Sequence, residues 1–169
     1  MRIAQDAVLA VFVCAMVFTD WRVRRIPNVA TYPAMVVGLV LGALEGVPGD
    51  LFVRGLVDHV AALVLAFAVC LPFYQAGGLK GGDAKFLMAV GALRGTSFLI
   101  ASALYGAILG GLIALGFIAV RRMARPANGG TPTVGGLMKA WIPYGIALGL
   151  GTLLALGLEL SGRLPGVAL

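Results

Sequence analysis

The chain has 169 residues, 60% of them hydrophobic and 12% charged, and its mean hydropathy is +1.00. A soluble domain is about a quarter charged, so the composition excludes one and leaves an all-α, polytopic membrane helix bundle. The net charge of +6 does not point to nucleic acid, because the basic residues fall in short loops between apolar runs. The length allows one integral-membrane domain over 1–169.

Apolar runs able to cross a bilayer fall at 3–19, 29–48, 55–75, 83–95, 98–120 and 140–160, which makes about six spans. The first has the Arg2 and apolar core of a signal peptide. No small-x-small cleavage site precedes a polar mature start, so it reads as a retained span. It closes on Asp20, in Thr19-Asp20-Trp21-Arg22-Val23-Arg24-Arg25-Ile26-Pro27-Asn28. A carboxylate at a helix C-terminus opposes the macrodipole, so local helix physics does not call for Asp20, although Arg24 could pair with it at i,i+4. Pro27 stops the helix, and Asn28 can cap the next one.

The third run ends at Gly77-Gly78-Leu79-Lys80-Gly81-Gly82-Asp83-Ala84-Lys85. The glycines let backbone approach closely. Asp83 is a plausible N-cap, and Lys85 reads as a snorkelling lysine. No P-loop pattern is present. The fourth run is short and could start below the surface or be partly re-entrant. The sixth begins near Trp141-Ile142-Pro143-Tyr144-Gly145, with proline suited to a first helical turn. The pairs Gly38/Gly42, Gly106/Gly110 and Gly145/Gly149 are small-xxx-small faces. Internal packing is their expected use and a homodimer the alternative.

Cys14 and Cys70 sit in separate apolar runs without a CxxC pair, so neither a disulfide framework nor a zinc knuckle is indicated. His59 follows Asp58, and the sequence suggests no serine at its depth for a triad. One histidine and scattered carboxylates do not make a metal site.

Nine of the 13 Lys and Arg lie on one face: Arg22, Arg24, Arg25, Lys80, Lys85, Arg121, Arg122, Arg125 and Lys139. The positive-inside rule makes that face cytoplasmic and both termini extracytoplasmic. Five of the seven acids fall on the outer face; the exceptions are Asp20 and Asp83. Ionisable residues at span ends are functional candidates, and this topology puts both at the cytoplasmic boundary.

These motifs resemble the aspartic type IV prepilin peptidases: Asp20 with the following Arg-x-Ile-Pro-Asn, Gly-Gly-Asp-x-Lys at 81–85, and Ile-Pro-Tyr-Gly at 142–145. The resemblance covers essentially the whole chain, and its short form looks like the Flp/Tad pilus peptidase. It implies an inner-membrane endopeptidase that removes the short basic leader of prepilins or pseudopilins on the cytoplasmic side. Asp20 and Asp83 would be catalytic, with Gly81, Gly82, Lys85, Pro27 and Asn28 binding substrate or supporting the site. The longer relatives carry an N-terminal extension with paired CxxC motifs and also methylate the mature pilin. With no such extension read here, methyl transfer is not expected, and no cofactor or metal is required. Lys80 stands where the family commonly has glycine. The rival readings are a non-catalytic assembly subunit and an ion-coupled transporter. The latter predicts polar residues through the bundle to its far face.

Overall fold

The computed structural model describes residues 2–23, 25–45, 51–123 and 144–163, and the described part is helical, with no strands. Helix α1 is Arg2–Val23, α2 is Asn28–Glu45 and α3 is Leu51–Gln75. The next stretch, Gly81–Met123, breaks at Gly95 into limbs α4 (81–94) and α5 (96–123), and α6 is Tyr144–Leu160.

A straight helix of 43 residues would extend about 65 Å, roughly twice the thickness of a hydrocarbon core. The contacts along α6 show that the chain folds back instead. Ser102 Oγ lies 2.6 Å from Thr152 Oγ1, and Gly106 and Gly110 pack on Leu148 and Ala147. Residue numbers therefore fall along α6 as they rise along α5. The other limb runs oppositely, from Asp83 to Arg94, whose guanidinium pairs with Glu159 at the distant end of α6.

Gly95 makes this reversal without a loop. Its φ of 75° is in the left-handed region, where a side chain is strained. The backbone N–H of Thr96 donates to both carboxylate oxygens of Asp58, at 3.3 and 3.2 Å, so a side chain on α3 caps α5. A Cβ at Gly95 would collide with that carboxylate. The sequence reading divides its fourth and fifth spans at this point, but the break takes one residue.

With lipid outside, no hydrophobic force separates helix–helix from helix–lipid contact, and close approach through small residues becomes the main glue. A Cβ on Gly38 would strike the backbone of Ala92, one on Gly42 the His59 ring, and one on Gly149 Val17. The small-xxx-small faces are thus spent inside the bundle. Its core is apolar at mid-depth, with Phe12 stacked on Phe86 at 5.6 Å beside Val13, Met16 and Val90.

Among the described residues, four helices are long and apolar enough to cross a membrane, the fourth being the folded pair, and α6 is a shorter apolar helix. In none of the four spans is more than 28% buried inside the bundle. Large apolar side chains such as Val64, Leu104 and Leu112 point outward, which suits lipid and not water. The chain is a polytopic membrane helix bundle.

Candidate active site

Asp20 and Asp83 come to the same end of the bundle from α1 and α4. The first helix runs three residues past Asp20, so the aspartate lies in its last turn. The half-buried Asp20 carboxylate faces α6, where a Cβ on Gly145 would come within 2.6 Å of Oδ2. The hydrogen at Gly145 is what leaves room for this carboxylate.

Asp83 is buried, with 4% of its surface exposed. It is the third residue of α4 and not the N-cap that the sequence suggests, because Gly81 already starts the helix. Its N–H donates to the carbonyl of Lys80 at 3.0 Å, while its Oδ2 accepts the N–H of Lys80 at 3.3 Å. The second bond is the N3 half of a capping box, with aspartate in the usual Glu/Gln position, while the first is an ordinary backbone turn. A carboxylate there also complements the helix dipole. Asp20 and Lys80 are both within electrostatic reach of Asp83.

The turn before α4 is built by Gly77, at φ 74°, in a Schellman motif: Gly78 N–H donates to Phe73 O at 2.9 Å and Gly77 N–H to Tyr74 O at 3.0 Å. Gly81 and Gly82 then let the start of α4 pass beside Tyr74 and Ile26. Cβ atoms there would lie 3.5 Å from the Tyr74 ring and 3.2 Å from Ile26. Pro27 precedes α2, and its carbonyl accepts from Ala30 and Thr31. Asn28 is therefore the first helical residue and not the cap. Its Oδ1 accepts a 2.9 Å bond from Lys85 Nζ, and that ammonium sits 5.2 Å from the centre of the Tyr32 ring. Lys85 is thus a tie between α4 and α2. Gly81, Gly82 and Lys85 belong to the same first turns of α4 as Asp83, and Lys85 joins them to Asn28 at the start of α2. Arg24, Trp141, Ile142 and Pro143 lie outside the described residues, so the pairing of Arg24 with Asp20 and the place of Pro143 in the first turn of α6 do too.

The sequence reading missed the opposite end. Arg94, its side chain only 6% exposed, pairs with Asp6 at 2.9 Å and with Glu159. His59 Nδ1 is 2.7 Å from Ala92 O, and its Nε2 is 3.6 Å from Glu45. Arg94, Glu159, His59 and Glu45 line a cavity of about 130 Å³ together with Ser97. A serine does therefore share the depth of His59, contrary to the sequence expectation. The contacts do not make a triad: Asp58 caps Thr96, and Nδ1 of His59 is committed to a backbone carbonyl. The signal in the sequence was the five acids on a face that also carries Arg94. Among the described residues, no group of three His, Cys, Asp or Glu is arranged to hold a metal ion.

The model of the type IV leader peptidase family matches residues 7–115. The chain belongs to this family. The match spans both aspartates, the α4 turn and the reversal at Gly95. Comparison with curated proteins and with solved structures yields no match. Membership makes the chain a leader peptidase and implies prepilin-type substrates.

Proposed function

We propose that this leader peptidase is an aspartic endopeptidase in which Asp20 and Asp83 together activate water. The observation that carries the reading is that carboxylates from two helices, Asp20 on α1 and Asp83 on α4, lie at one end of the bundle within electrostatic reach of each other. Two close carboxylates do not both ionise readily and titrate as a coupled pair. One, ionised, takes a proton from water as the oxygen attacks the scissile carbonyl. The other, protonated, donates to the carbonyl oxygen. Collapse of the tetrahedral species returns a proton to the leaving amine. Two aspartates sharing one proton suffice for this cycle.

The substrate is a prepilin or pseudopilin whose basic leader lies in the cytoplasm and whose apolar helix lies in the bilayer. Cleavage at their junction matches a site at the end of the bundle. The described basic residues Arg22, Arg25, Lys80 and Lys85 lie toward that end, which the positive-inside rule makes cytoplasmic in a bacterial inner membrane. The reading includes the Flp/Tad type, a peptidase without methyl transfer. A polar transport path is disfavoured, because Phe12, Val13, Phe86 and Val90 fill the core between Asp83 and Arg94.

The test is co-expression with a prepilin from the same source, followed by the intact mass of the pilin recovered from membranes. The expected product lacks the leader and carries no N-methyl group. A pilin that keeps its leader in the presence of the enzyme would remove the proposal.

A further inference from the structure

The bundle end opposite the two aspartates holds the cavity of about 130 Å³, room for about four waters. Its lining sets Arg2 and Arg94 against Glu45, Asp58 and Glu159. We propose that this cavity binds a small zwitterion, an anionic oxygen joined to a primary ammonium, and that the phosphoethanolamine headgroup of a membrane lipid supplies it. The site is separate from the two aspartates and does not depend on the peptidase reading.

Two buried side chains of the lining call for an acceptor. Gln5 is 1% exposed, and its Nε2 has no acceptor among the described residues. The Nη1 and Nη2 atoms of Arg94 are taken by Asp6 and Glu159, and its Nε has no partner among the described residues. A buried donor left unpaired is destabilising, and a phosphate oxygen accepts from both amide and guanidinium. A second pair calls for a donor. His59 Nδ1 lies 2.7 Å from the carbonyl of Ala92 and so carries the proton, and the neutral ring turns the Nε2 lone pair toward Glu45. That carboxylate is 3.6 Å away, beyond hydrogen-bond length. An ammonium has three N–H donors and no acceptor, and can bond both. A lone anion would meet the excess of carboxylate, and a lone cation would meet the orphan donors. A zwitterion answers each. The level of the cavity selects the lipid as source. Helix α1 begins at Arg2, α2 ends at Glu45 and α6 ends one residue past Glu159, so the site lies at the ends of three apolar helices, where headgroups lie.

The test melts the full chain, purified in detergent and washed until no lipid phosphate remains, as dihexanoyl phosphatidylethanolamine, dihexanoyl phosphatidylcholine or free phosphoethanolamine is added. Phosphatidylethanolamine is expected to raise the melting temperature by about 5 °C or more at about a hundredfold excess over its Kd. Phosphatidylcholine has no N–H on its quaternary nitrogen, and should need at least about tenfold more for the same shift. Equal shifts from the two lipids, or no shift from any addition, overturn the proposal. An equal shift from free phosphoethanolamine keeps the site and overturns the lipid as its source. Gln5→Leu removes an unpaired donor and keeps the volume. Without lipid it should melt within about 2 °C of wild type, yet need about tenfold more phosphatidylethanolamine. A Gln5→Leu chain that melts well below wild type, or that responds to the lipid as wild type does, overturns the proposal. Glu45→Gln should abolish the preference for phosphatidylethanolamine over phosphatidylcholine, and a preference kept would overturn the ammonium end of the site.

Discussion

Asp20 owes its position to a residue it does not bond. Gly145 supplies space, and a methyl group there would overlap the carboxylate. Gly145→Ala is therefore expected to lower kcat by about a hundredfold, the cost of roughly an ångström of misplacement at a reacting group. KM should change little, because the acid–base chemistry of Asp20 is exerted in the transition state and not in ground-state binding. A purified variant with normal melting and normal kcat would show that Asp20 tolerates displacement. Lys85 acts at the same scale through structure: its bond to Asn28 holds the start of α4 against the start of α2. Asp20 and Asp83 were legible in the sequence because a carboxylate at a span end is conspicuous against apolar neighbours. Asn28, Lys85 and the N3 position of Asp83 were not. Their roles depend on which backbone N–H groups the helix leaves open, and a shift of two or three residues in a helix start changes that answer.

Among the elements, the α4–α5 reversal determines the most. It brings the Asp83 end of α4 to the start of α6 while sending Arg94 to the far side. Two conditions meet at Gly95, a positive φ and the Asp58 carboxylate. Gly95→Ala should lose about 1–2 kcal/mol from the left-handed backbone alone, plus the capping bond. Asp58→Ala should lose only the cap, about 1 kcal/mol. Thermal unfolding in detergent should therefore rank wild type above Asp58→Ala above Gly95→Ala, and a reversed order would show that Asp58 holds more than the Thr96 N–H. The site of the break was legible, since Arg94-Gly95 interrupts the apolar run. Its compactness was not, because the capping group comes from a helix 38 residues earlier.

Over the whole molecule, the two ends of the bundle are polar for different reasons. At the Asp20–Asp83 end, the two acids share the described residues with the basic Arg22, Arg25, Lys80 and Lys85. At the other, Asp6 and Glu159 surround Arg94, and Glu45 faces His59. Removing one partner of a buried ion group leaves an uncompensated charge, so Arg94→Ala should cost about 3–5 kcal/mol. Arg94→Met fills the volume but orphans the two carboxylates, and should cost nearly as much. The membrane content of either variant, read by immunoblot, should fall well below wild type. Normal content would mean that the ion group contributes little to folding. The helical membrane class and the shared end of the two aspartates followed from hydropathy and charge asymmetry alone. The Arg94 group did not, because an arginine at a span end reads as a loop residue until α1 and α6 are seen to bring their acids to it.

The central claim is that two carboxylates act as one acid–base unit. The most direct measurement is kcat for cleavage of a prepilin by purified wild type, Asp20→Asn and Asp83→Asn, each checked for normal melting. Either substitution keeps the shape and removes the proton chemistry, and each should lower kcat by about a thousandfold or more. The double variant should lose little beyond the worse single, since residues that act as a unit are not additive. Retention of cleavage by either single variant would contradict the two-aspartate mechanism and assign the chemistry to another group.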